Sequence, residues 1–140
     1  MTQRNIDTMD IIVTKMAEGK KISEALSEVY TKRKVSINYH DEWLNCEIKS
    51  LNMSMRTTSA LLRNRINTIN DVVNYTNDVV NETKKRSITN LQTFGRVSAI
   101  ELFESILDYC WKQMSRDEKT AFIIDTVERN SDNLRAEIEF

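Results

Sequence analysis

Across 140 residues the sequence contains no proline and only two glycines, Gly19 and Gly95. A soluble protein of this length carries roughly seven Pro and ten Gly. Both residues punctuate turns, so their scarcity excludes collagen-like, Pro-rich and many-turned all-β architectures and leaves helices joined by short polar turns. Hydrophobic content of 40% beside 29% charge is too apolar for a disordered protein. No apolar run nears the ~20 residues of a membrane span, and Met1-Thr2-Gln3-Arg4-Asn5 opens no signal peptide. Two separate cysteines, Cys46 and Cys110, supply neither a disulfide framework nor a metal spacing. These features predict a soluble, cytoplasmic, all-α protein with no membrane association.

The net charge of −1 conceals an uneven distribution. Residues 1–48 hold 7 basic and 8 acidic side chains, residues 49–100 hold 8 and 3, and residues 101–140 hold 5 and 10. A basic middle and an acidic end point to an anionic partner. Lys84-Lys85-Arg86 supplies three of the central positives, as a solvated loop or as part of a contact surface.

Hydrophobic spacing places the elements. Met9, Ile12, Val13 and Met16 predict a first helix, capped by Asp7 or Thr8 and closed by Gly19. Ile22, Ala25, Leu26 and Val29 predict a second. A third is expected from Ser36 through Tyr39, Trp43 and Cys46, with His40 on its exposed side. Ser54 caps a helix with Leu61, Leu62 and, near its end, Ile66. Thr68 and Asp71 form a capping box for a short helix with Ile69, Val72 and Val73. Residues 74–90 read as a short helix plus a loop. After Gly95 a long helix shows Ile100, Phe103, Ile106, Leu107 and Cys110 on one face. Ser115 and Glu118 box the start of a final helix with Ile123, Val127 and Leu134.

Chemistry that would make an enzyme is missing from this pattern. One histidine, His40, would have to serve any triad, and no nucleophile elbow accompanies it. Three scattered Cys/His residues cannot make a zinc site, and two glycines 76 residues apart cannot make a phosphate loop. The expectation is a protein with no catalytic residues, no cofactor and no metal.

One segment carries a resemblance. Ile48-x2-Leu51-x-Met53-Ser54-x-Arg56, Leu61, Ile66-x2-Ile69-x-Asp71-Val72-Val73 and Leu91-x2-Phe94-Gly95-Arg96-x-Ser98-x2-Glu101-Leu102 follow one another in that order. This order resembles the C-terminal domain of the bacterial RNA polymerase α subunit, with an insertion of about eight residues around Asn81–Asn90. The resemblance implies a small helical, helix-hairpin-helix-like domain over 48–111. It is flanked by an N-terminal three-helix unit over 1–47 and an acidic C-terminal helix over 112–140. It also implies a DNA-binding face made by Arg56, Ser59, Ala60, Gly95, Val97, Ser98 and Glu101, to which Arg96, beside Val97, adds a cation. Ser59 stands where the family has Asn, and Val97 where it has Lys. Independently of the resemblance, a glycine before a helix N-terminus lets backbone N–H groups meet a phosphate. An arginine in the first turn of a helix opposes that helix's own dipole, and an external anion or a narrow A·T minor groove accounts for it better.

The N-terminal stretch is similar to helix-turn-helix units of small terminase-like and transposase-like proteins, on Ala17-Glu18-Gly19-x2-Ile22-x-Glu24-Ala25-x3-Val29 and Val35-Ser36-x2-Tyr39-x3-Trp43-Leu44. It would offer a second DNA surface through Lys32, Arg33, Lys34, Ser36 and Asn38. The competing reading is a packing or dimerising unit, since Asp41, Glu42 and Glu47 would face the same polyanion. Three functions follow. The first is a non-enzymatic, phage- or mobile-element-borne transcription regulator that binds DNA, including A/T-rich minor groove, and meets host RNA polymerase or a σ factor, with homodimerisation open. The second is a protein–protein adaptor or mimic engaging polymerase-associated factors without DNA. The third is a terminase-like assembly factor.

Overall fold

A computed structural model describes residues 1–30, 35–76, 88, 91 and 94–135. Among the described residues all regular structure is helical, apart from two isolated antiparallel bridges. The helices are α1 (Gln3–Ala17), α2 (Ile22–Val29), α3 (Asp41–Leu44), α4 (Met55–Arg63), α5 (Ile69–Thr76), α6 (Arg96–Lys112) and α7 (Arg116–Arg129), with a 3-10 turn at Ile48–Ser50. No described helix is long and apolar enough to cross a membrane. The protein forms two compact units. A central unit spans Tyr39–Ile106, and a terminal unit joins Met1–Asn38 to the described residues from Leu107 onward. These limits differ from 1–47, 48–111 and 112–140: the acidic C-terminal helix shares a unit with α1 and α2, and α3 belongs to the centre.

In the terminal unit α1 packs on both α2 and α7. It starts earlier than Asp7 or Thr8, because the Thr2 hydroxyl accepts from Asn5 N. Its buried stripe is Asn5, Thr8 and Ile12, and Val13 is exposed. The two polar members tolerate burial because each is bonded. Asn5 Nδ2 donates to Ser131 Oγ at 3.0 Å and Thr8 Oγ1 to the Arg4 carbonyl at 2.8 Å. Gly19, at φ 98°, ends α1, with its N–H on Met16 O and that of Lys20 on Lys15 O. Ile22, Ala25, Leu26 and Val29 of α2 are all buried, as their spacing predicts. Asp108 serves the start of α2, accepting from Ser23 N and Ser23 Oγ at 3.3 and 2.9 Å. The Ser115/Glu118 box opens α7.

Two expectations for this unit fail for the same kind of reason. Residues 35–40 are not helical. Asn130, buried at the C-cap of α7, holds the Ser36 backbone at two points: Oδ1 accepts from Ser36 N and Nδ2 donates to Ser36 O, both at 2.8 Å. Ser36 therefore caps no recognition helix, and α3 has only four residues. Leu134 is likewise outside α7. It bridges antiparallel to Tyr30, while Arg135 N donates to Val29 O and Arg135 Nε to Ser27 O and Tyr30 O at the end of α2.

In the central unit a bridge between Glu47 and Thr68, with bonds Ile48 N to Asn67 O and Ile69 N to Cys46 O, pins the 3-10 turn beside the start of α5. The box at Thr68 forms: Asp71 accepts from Asn67 N and Thr68 N, and Thr68 Oγ1 accepts from Asp71 N. Trp43, Ile48, Leu61, Ile69 and Leu102 are among the most deeply buried residues. His40 precedes α3 and stacks on Trp43 at 4.0 Å. α4 ends before Ile66 in a Schellman turn, Arg65 N on Leu62 O and Ile66 N on Leu61 O. Arg65 sits at φ 62° where glycine is usual. On α6 the buried stripe is Ala99, Leu102, Ile106 and Cys110 with Leu107, while Ile100 and Phe103 are half-buried. Apolar residues on two adjacent stripes leave the inward face undecided by periodicity. Of residues 77–90 only Ile88, buried, is described, so the insertion and Lys84-Lys85-Arg86 lie outside the described residues.

Candidate nucleic-acid interface

Two helix N-termini border one depression in the central unit. At α4, Ser54 is the N-cap and its hydroxyl accepts from Thr57 N at 3.3 Å. At α6, Gly95 O accepts the first helical bond, from Ala99 N at 3.0 Å, and Gly95 brings no side chain to cap the N–H groups that follow. Neither first turn holds an acidic residue. Instead, exposed arginines stand there, Arg56 in α4 and Arg96 in α6. Acidic residues are favoured at these positions, so two arginines beside two positive dipole ends leave the depression net positive even with the Glu101 carboxylate in its lining. The depression, about 320 Å³, is lined by Ser54, Arg56, Thr57, Gly95, Arg96, Val97, Ser98 and Glu101.

Polar bonds join the two helix starts. Glu101 Oε1 accepts from Ser54 N at 2.8 Å and from Ser54 Oγ at 2.9 Å. Thr57, only 2% exposed, lies between the helices, its hydroxyl 3.2 Å from Ser54 Oγ and 3.1 Å from Ser98 Oγ. Partial burial of Glu101 pushes its carboxyl up. Hydrogen bonds from the Ser54 amide and hydroxyl and from Thr57 outweigh that effect, and the net value lies below the ordinary glutamate range.

Six of the eight residues expected on this face therefore come together: Arg56, Gly95, Arg96, Val97, Ser98 and Glu101. Ser59 is exposed but outside the depression, and its carbonyl accepts from Arg63 Nε. Ala60 is 1% exposed and faces the core, so it cannot touch a nucleic acid from here. A helix turns 100° per residue, and one step from Ser59 to Ala60 carries a side chain inside. Thr57 is a member of the site that the sequence reading does not identify. Its signal is weak, a hydroxyl three residues after a capping serine. Of the second expected surface, Lys32, Arg33 and Lys34 lie outside the described residues. Ser36 and Asn38 are exposed in the non-helical stretch of the terminal unit, without a recognition helix to present them.

The family model for the C-terminal domain of the bacterial RNA polymerase alpha chain matches residues 35–106, just over half of the sequence. The matched stretch nearly coincides with the central unit and contains every residue of the depression. No curated protein and no solved structure matches the sequence.

Proposed function

The protein belongs to the family of the C-terminal domain of the bacterial RNA polymerase alpha chain, and from that premise we propose that it is a non-enzymatic, DNA-binding regulator of transcription. One observation carries the reading: the N-termini of α4 and α6 open on a single depression, each with an exposed arginine and no carboxylate in its first turn. Such an arrangement suits a polyanion, which accepts from backbone N–H groups and pairs with guanidinium groups. Gly95 supports it. A Cβ there would meet nothing within 4 Å, so the protein's own packing does not require the missing side chain. A glycine there suits the close approach of an external backbone.

Fluorescence anisotropy with A·T-rich and G·C-rich duplexes across a salt series tests the reading. Binding that weakens with salt and prefers A·T is expected. Arg56→Ala should weaken it severalfold and flatten the logarithmic salt slope by about one unit, one phosphate contact. Binding unchanged by Arg56→Ala removes DNA recognition from this face.

A second reading, an adaptor that meets polymerase-associated proteins without DNA, has its own observation. Met55 and Val97, beside the two arginines in sequence, are 83% and 81% exposed, and exposed apolar side chains suit a protein contact more than phosphates. That reading predicts no duplex binding even at low salt, and recovery of polymerase or a σ factor from bacterial extract.

A further inference from the structure

We propose that Glu101 is not a nucleic-acid contact but the positioning residue of this face: its carboxylate fastens the N-terminus of α4 to α6 and thereby sets Arg56 relative to Arg96. The inference rests on the reading of this face as the DNA interface.

A carboxylate directed at DNA meets a polyanion and repels it. Glu101 lines the depression, but one of its oxygens accepts both the amide and the hydroxyl of Ser54, 47 residues away in the sequence. Hydrogen bonds to an ionised acceptor are roughly twice as strong as neutral ones. Glu101 also brings to the start of α4 the negative charge that α4 lacks in its own first turn. Ser54 is simultaneously the N-cap of α4, so the residue that starts the helix is the residue that Glu101 holds. Arg56 follows two positions later, within the first turn. Thr57 completes the link, since its buried hydroxyl bonds to both Ser54 and Ser98. The link thus joins the cap of α4 to the first and second turns of α6. Without it, the arginines would keep their charge and lose their fixed separation, and phosphate recognition depends on both.

The test is duplex affinity of the full-length protein, by anisotropy with an A·T-rich duplex at fixed salt, for the wild type and for Glu101→Ala, Glu101→Gln, Ser54→Ala and Arg56→Ala. Charge alone predicts that removing an acid tightens DNA binding. Positioning predicts the opposite for Glu101→Ala, a loss of about fivefold, from the bonds it breaks. Glu101→Gln keeps an oxygen that accepts from Ser54 and should restore affinity to wild type or above. Ser54→Ala, which leaves the backbone bond to Glu101, should fall between, and it carries the test if Glu101→Ala does not fold by circular dichroism. Glu101→Ala binding as tightly as wild type while Arg56→Ala fails overturns the inference and leaves the DNA reading standing. Absence of binding by the wild type overturns both.

Discussion

Replacement of Asn130 by alanine probes the contact that holds the backbone at Ser36 against the end of α7. The side chain is 2% exposed and makes three short bonds: from Ser36 N to Oδ1 and from Nδ2 to Ser36 O, both 2.8 Å, and from Nδ2 to Thr126 O at 2.7 Å. Thr126 O also accepts from Asn130 N, a backbone bond that alanine retains. Ser36 is exposed, so water replaces part of what its backbone loses. At about 0.5–1 kcal/mol net per bond, the three together come to about 2 kcal/mol. In a protein of this length that lowers the melting temperature by roughly 5–10 °C. Thermal and urea unfolding followed by circular dichroism measure it. Asn130→Asp sharpens the test: it keeps an acceptor for Ser36 N but sets a carboxylate against the Ser36 and Thr126 carbonyls. It should be at least as damaging as alanine. An Asn130→Ala protein within about 0.5 kcal/mol of wild type, the ordinary range for surface substitutions, would refute the weight given to the Asn130–Ser36 contact.

Arg65 and Glu101 yield two further expectations. Arg65→Gly relieves a left-handed arginine at φ 62°; it should raise stability by up to about 1 kcal/mol in urea melts, and a loss would show that the arginine side chain has a structural role. The Glu101 carboxyl is held below its unfolded value of about 4.3, so its stabilisation is complete above roughly pH 5 and disappears as pH falls through the lowered folded value. Melts of wild type and Glu101→Gln should accordingly differ at neutral pH and converge as the lowered carboxyl takes up its proton on acidification; a gap that stays constant down to the onset of acid unfolding would contradict the ionised clasp.

The parts of this protein that its sequence determines by itself are those settled within about four residues. The Thr68/Asp71 and Ser115/Glu118 boxes, the end of α1 at Gly19 and the buried face of α2 all form where spacing places them. Each depends on contacts one helical turn apart, which any polypeptide with those residues can make. The basic helix starts are legible too, because glycine and arginine at those positions conflict with the helix's own preferences. Tertiary structure decided the rest, where partners lie far apart in sequence. Ser36 has the residue type of a cap, but Asn130, 94 residues on, takes up its backbone. Asn5 turns inward on α1, where spacing alone favours methionine and valine, because Ser131, 126 residues on, satisfies its amide. Ala60, neighbour to an exposed serine, is turned into the core, and Glu101 accepts from Ser54, 47 residues away. In each case two local options were comparably good, and a hydrogen bond or a buried surface supplied from a distant segment selected between them.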